Sequence, residues 1–357
     1  MSVVSEPGAR CVAPLREVIR EQLASWSQTP VELAIFETGE PAAIAATFER
    51  FCREQLGVVV RGSLFYQSSI GAVAGLELED GRRVVLKAYQ PDRTRERLEE
   101  VVRLQGHLSR HGGLAPPVLT GPAPLALGWG VVEEYVERGR TRDGHDPQVR
   151  QALAVSLHAI CAQLAPFVAA SRLTSQLFSQ LVPGALWPKP HSKIFDFEAT
   201  HVGAEEIDAL GATALRQLAL QQGTPAGQLV LGHCDWRAEH VRFEGDQPVA
   251  AFDWDSLCKE REPILVGFIA HAFCADWTRS NYAQAPTLDE ARAFVGAYEA
   301  ARGASFERDE RALCGAAFTY SVGYTSRCGH AFGKRERDVP GTFHHLLASH
   351  GEGLLRL

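Results

Sequence analysis

The side chains best suited to chemistry crowd into one stretch, residues 228–257, QLVLGHCDWRAEHVRFEGDQPVAAFDWDSL. A strand over Leu229 to Leu231 delivers His233, Cys234 and Asp235 into a loop. A hairpin turning at Glu244-Gly245-Asp246 then returns the chain to Asp253-Trp254-Asp255, while His240 follows Asp235 by five residues. Carboxylates at two neighbouring strand ends can converge on one point. Phosphoryl transfer needs such parts: a carboxylate that accepts a hydroxyl proton, and oxygen ligands for a Mg²⁺ bridging the phosphates. The plainer alternative is that Asp235 and Asp253 only form turns and caps, because acidic residues often bracket hairpins.

A second signal lies upstream. The run VVLKAY places Lys87 at the centre of a strand, and Glu96, Glu99 and Glu100 follow on a helix. Only five of the 36 basic residues are lysines, so a compact ammonium here stands out against an arginine-biased background. Glu100 is the first choice of partner because Leu104 and Leu108 share its helix face. Between the first two strands, Gln67-Ser68-Ser69-Ile70-Gly71 carries small hydroxyls and backbone N–H groups that can meet an anion.

The elements that must position these groups follow from periodicity. Residues 13–27 and 41–56 read as helices, the second opening at Pro41 and stopping at Gly57. From Val58 come the β-prone runs GVVVRGSLFYQSS, AVAGLELED and RRVVLKAYQ, with Asp80-Gly81 as a hairpin turn. Asp92 or Thr94 caps a helix running to about His111, and two more strands are expected near 117–126 and 129–136. The polar, turn-rich segment from Arg138 to Pro147 is the best boundary. Beyond it, helices are expected over 148–170, 172–181, 204–222, 262–280, 288–302, 307–328 and 340–355. The plan is α+β and two-lobed: a helical extension over 1–56, a sheet lobe over 57–138 and a helical lobe over 139–357.

Composition narrows the function. With 36 basic and 43 acidic residues the formal charge is −7, and no basic run offers a footprint for nucleic acid. Hydrophobic content of 45% is that of a globular protein. The eight cysteines include no C-x-x-C pair, so reduced thiols are expected. The most apolar long segment, Ala152 to Ala170, is broken by Ser156, His158, Gln163 and Pro166 and reads as a core helix, not a membrane span. Glu6 and Pro7 stand where an export signal would be apolar, so the expectation is a cytoplasmic protein without a membrane partner.

H-C-D-W-R-A-E-H followed by F-D-W-D resembles the catalytic loop and metal motif of the aminoglycoside phosphotransferase and choline kinase-like family, relatives of the protein kinases. The resemblance implies a bilobal, protein-kinase-like fold and an ATP-dependent, Mg²⁺-dependent transfer of phosphoryl to a small-molecule hydroxyl. It makes Asp235 the catalytic base, His233 the loop-stabilising residue and Arg237 a third member of the catalytic loop. Asp253 becomes the principal Mg²⁺ ligand and Asp255 a supporting carboxylate. Lys87, oriented by a helix glutamate (Glu100 first, with Glu96 and Glu99 as alternatives), grips the α- and β-phosphates; Ser68, Ser69 and Gly71 fold over them, and the backbone from Glu134 to Val136 pairs with adenine.

The chain departs from the family at His240, where the family's metal-binding residue is Asn. Imidazole is a poor ligand for Mg²⁺, so a nucleotide-binding protein impaired in catalysis is the rival reading. A transition-metal hydrolase built on His233, Asp235, His240 and Asp253 leaves Lys87 unexplained. For the acceptor, Trp187, His191, Asp196, Glu198, Arg327 and His330 are candidates, whereas His158 and His271 read as core residues.

Overall fold

Alternating apolar residues after Val58 build the expected antiparallel sheet. Its strands are β1 (Val60–Ser68), β2 (Ala72–Leu78), β3 (Arg83–Tyr89), β4 (Val118–Leu125) and β5 (Gly128–Glu134), in the order β1-β2-β3-β5-β4. Asp80-Gly81 makes the β2–β3 turn, with Gly81 at φ 83°, a conformation that suits glycine. The computed structural model describes residues 12–24, 29–175, 184–190, 195–220 and 226–357. The chain divides into two units, Ser2–Arg138 and Gly139–Leu357.

Helices α1 (Leu15–Ala24), α2 (Pro30–Phe36) and α3 (Pro41–Leu56) precede the sheet in the first unit, and α4 (Arg95–Arg110) joins β3 to β4. Helix α2 has no counterpart among the expected elements. Ile19 of α1 and Ile44 and Phe48 of α3 share one core with Leu76, Leu86 and Val132 of the sheet. Between the two expected caps of α4, Thr94 takes the role, its side chain accepting from the Arg97 N–H.

The second unit is mainly helical: α5 (Pro147–Leu164), α6 (Glu205–Leu220), α7 (Glu262–Ala270), α8 (Leu288–Arg302), α9 (Arg308–Ala331) and α10 (Phe343–His350). Two small antiparallel pairs are set among them, β6 (Leu229–His233) with β9 (Leu257–Arg261), and β7 (Val241–Glu244) with β8 (Gln247–Ala251). Helix α9 is buried along most of its length. An ideal Cβ on Gly267 of α7 would lie 2.1 Å from the Cys314 carbonyl oxygen of α9, so only glycine lets these helices approach so closely. Among the described residues no helix is long and apolar enough to cross a membrane.

Three expectations need correction. The helix expected to reach residue 170 leaves α geometry at Leu164 and finishes as a short 3₁₀ turn containing Pro166, which cannot continue the α ladder. The helix expected over 262–280 stops at Ala270. The segment beyond is held instead by Gln284, whose Oε1 accepts from the Asp276 N–H (2.9 Å) and whose Nε2 donates to the Asp276 carbonyl (2.8 Å). Strand β9 lies where no strand is expected. The helix expected over 172–181 lies largely outside the described residues, as does His191.

Candidate active site

Strands β6 and β9 are paired with Gly232 opposite Cys258 and His233 opposite Leu257. The Cys234 N–H then donates to the Ser256 carbonyl at 3.0 Å, which extends the pairing to the loop that carries Asp235. Two buried tryptophans fix that loop and its neighbour. Trp236 Nε1 donates to the Leu153 carbonyl of α5 at 2.9 Å, and Trp254 Nε1 donates to the Ala251 carbonyl at 2.8 Å. Asp253 adopts a left-handed backbone conformation (φ 61°, ψ 40°) at the mouth of the turn, which Asp tolerates better than most residues.

His233 is fully buried between these tryptophans, with ring centroids 5.5 Å from Trp236 and 5.3 Å from Trp254. Its Nε2 donates to the Phe252 carbonyl at 2.9 Å, which ties the Asp235 loop to the residue before Asp253. Burial pulls His233 down to about 4 in spite of the Asp235 carboxylate, so it stays neutral at physiological pH. It is a strut.

Asp235, His240 and Asp253 come together, each offering one ligand atom with all of these within 4.8 Å of one another. His240 Nε2 lies 3.3 Å from Asp253 Oδ2, and its Nδ1 lies 3.6 Å from Asp235 Oδ2. Arg237 threads the group. Its guanidinium pairs with Asp235 Oδ1, donates to Glu239 Oε2 at 3.1 Å and donates to His240 Nε2 at 3.0 Å. Burial works against that charge, but Asp235, Glu239 and Asp253 outweigh it and hold the guanidinium above its ordinary pKa. Asp255, expected as a supporting ligand, is not among the three clustered side chains.

The donor chemistry of the cluster fits one hard divalent ion. Asp253 offers carboxylate oxygen of the kind Mg²⁺ takes, whereas Asp235 Oδ1 and His240 Nε2 are already engaged by Arg237. His233, given to the Phe252 carbonyl, is not part of the cluster, which removes the four-ligand set of the hydrolase reading.

In the first unit, Lys87 is paired with Val73 on β2 and Val131 on β5. Its ammonium lies 3.2 Å from Glu133 Oε1. Sequence reasoning places Glu100 in that position and misses Glu133; Glu100 lies 3.8 Å from Arg103. The signal available is the strand register, which makes residues 87 and 133 diagonal neighbours across β3 and β5. The Ser68–Gly71 turn lies close along β3. An ideal Cβ on Gly71 would sit 2.9 Å from the carbonyl oxygen of Ala88, the residue after Lys87. Glu134 ends β5, and its N–H is given to the Pro117 carbonyl at 2.9 Å, while the Tyr135 N–H is given to the Arg83 carbonyl at 3.1 Å. Val136, the last of the expected adenine-binding positions, is half-buried just beyond the strand.

Trp187, Asp196, Arg327 and His330, expected around the acceptor, make contacts within the protein. Trp187 is buried and donates to Asp208 at 2.8 Å, and Asp196 accepts from the N–H groups of its own turn. Arg327 donates to Thr200 Oγ1 at 3.1 Å and to the Phe197 carbonyl, pinning residues 197–200 against α9. His330 bonds the Val202 carbonyl at 3.1 Å, and Glu198 is exposed. His271, read as a core residue, is half-buried and feels the charges of Asp235 and Arg237; burial lowers it to about 4.

The phosphotransferase enzyme family matches residues 75–260, just over half of the chain. No curated protein matches the chain. Among solved structures, the spectinomycin phosphotransferase APH(9)-Ia in complex with ADP and spectinomycin superposes with a TM-score of 0.56 at 13% identity, over 84% of this chain and 96% of that one. The AMP-bound complex of the same enzyme gives 0.54 at 13% identity, over 86% and 98%. A macrolide 2′-phosphotransferase from Brachybacterium faecium gives 0.49 at 16% identity, over 85% and 96%. At such identities the spectinomycin phosphotransferase shows the fold, the kinase-like α+β one.

Proposed function

The chain belongs to the phosphotransferase enzyme family, and from that premise we propose that it is an ATP-dependent small-molecule kinase acting on an alcohol. The acceptor class is a sugar, amino sugar, aminoglycoside-like antibiotic or related hydroxyl compound. The observation that carries this reading is the convergence of Asp235 and Asp253 with His240, all within 4.8 Å.

Each residue has a role in that reading. Lys87, held by Glu133, fixes the α- and β-phosphates, and the Ser68–Gly71 turn presents N–H groups to them. Asp253 would hold a divalent ion, which would supply charge neutralisation at the phosphates. Asp235 orients the acceptor hydroxyl and takes its proton at Oδ2, since Oδ1 is committed to Arg237. His233 keeps the two carboxylate-bearing loops in register through the Phe252 carbonyl. Catalysis is then positioning plus electrostatic stabilisation.

The test is ATP turnover against a panel of sugars, amino sugars, choline-like alcohols and antibiotics. Asp235→Asn and Asp253→Asn are each expected to lower turnover by about 10²–10⁴-fold. Turnover that persists in both variants refutes the assigned roles. A second reading, nucleotide binding without transfer, is favoured by the Arg237 contacts to Asp235 and His240. It requires that His240→Asn create turnover where the native chain has none.

A further inference from the structure

The Asp235 loop contains a positive charge of its own. A guanidinium has no acceptor, so at the 3.0 Å contact His240 Nε2 must be accepting from Arg237. The other ring nitrogen, Nδ1, then carries the proton and donates to the Asp235 carbonyl at 2.9 Å. Both nitrogens of His240 are thereby used within the protein, and neither has a lone pair left for a metal ion. A lone pair on Nε2 only 3.3 Å from Asp253 Oδ2 would repel that carboxylate if nothing positive stood beside them. Arg237 is the group that stands there. Its side chain is 18% exposed, and it is bound to Asp235, Glu239 and His240 at once.

We propose that Arg237 takes the place of a second divalent ion, so that the nucleotide-loaded chain works with one ion at Asp253 and a guanidinium fixed beside Asp235. The inference rests on the kinase reading above and goes beyond it, because it turns the His240 departure from a defect into half of a replacement. His240 positions the guanidinium by accepting from it. Arg237 supplies a permanent charge without ligand exchange, which suits its always-protonated, planar fork of donors. A cation tethered by three bonds cannot leave with product, whereas a second ion held by an Asn oxygen could. An arginine that only ties the loop together would leave the number of bound ions unaffected.

Ion counting decides the matter. Mn²⁺ is titrated into the full chain saturated with a non-hydrolysable ATP analogue, and free Mn²⁺ is followed by its paramagnetic resonance signal. One ion per chain is expected, and its spin-echo spectrum should lack modulation from a histidine nitrogen. Two ions per wild-type chain, or histidine-nitrogen coupling, would overturn the inference. Arg237→Gln combined with His240→Asn is expected to raise the count from one to two, and a count that stays at one would also overturn it. Arg237→Lys, which keeps the charge, should remain at one; two ions there would contradict the charge argument. A wild-type chain that fails to bind the analogue at all would bring down the kinase reading and this inference together, whereas two ions on a nucleotide-loaded chain would sink the inference alone.

Discussion

Lys87 and Glu133 form a buried ion pair, 3.2 Å from ammonium to carboxylate, across neighbouring strands β3 and β5 of one sheet. Lys87 is 6% exposed and Glu133 2% exposed, so solvent screens the pair little. Removing one partner of such a pair leaves a charge stranded in low dielectric, at a cost of about 3–5 kcal/mol.

That cost separates folding from binding. Glu133→Ala is expected to lose about 3–5 kcal/mol in denaturant titration. Lys87→Met combined with Glu133→Gln should recover most of that stability, since no buried charge is left unpaired. The double variant should nonetheless lose nucleotide affinity, measured by calorimetry. Full nucleotide affinity in a stable Lys87→Met chain would remove Lys87 from the phosphate site.

The Asp235 loop is pinned to α5 through Trp236 Nε1 and the Leu153 carbonyl. Trp236→Phe removes that bond and leaves space in a packed interior, so a loss of about 1–3 kcal/mol is expected. Turnover should fall by more than the unfolded fraction explains, because Asp235 is the adjacent residue. A thermal melt paired with turnover measured well below the transition checks both halves.

Acid should destabilise the protein through His233 and His271. His233 and His271 both fall from 6.5 to about 4 in the folded chain, chiefly by burial. Between those values the unfolded chain binds more protons, so this stability is complete above about pH 6.5 and is lost as pH falls toward 4. Each histidine contributes on the order of 3 kcal/mol to that loss. His271→Gln should flatten the dependence of denaturation midpoint on pH within that window. An unchanged slope would show that the folded chain accommodates the proton.

The contact between α7 and α9 leaves no space for a methyl group at Gly267, because the obstructing atom is a backbone oxygen. Gly267→Ala is expected to cost about 1–3 kcal/mol from overpacking, read as a lower melting temperature. The same change at Gly296 of α8, where nothing lies within 4 Å of the ideal Cβ, should instead be neutral or mildly stabilising.

Local patterns carried much of the architecture. Pro41 and Gly57 bracket α3 where expected, and Asp80-Gly81 makes its hairpin, because each depends on backbone preferences within a few residues. The types and spacing of His233, Asp235 and Asp253 pointed to two converging carboxylates, and the structure brings them close, but through the pairing of β6 with the unexpected strand β9 and not through neighbouring ends of β6 and β8.

Other features depended on residues far apart in the chain. Glu133 reached Lys87 through strand register, and Trp187 and Arg327 were drawn into packing. Composition and spacing alone determined an α+β chain with paired acidic loops, since turn chemistry and hydrophobic period act locally. Which carboxylate holds Lys87 was decided only by tertiary structure. A buried charge takes whichever partner packing brings within about 3 Å, and no local rule sets that distance.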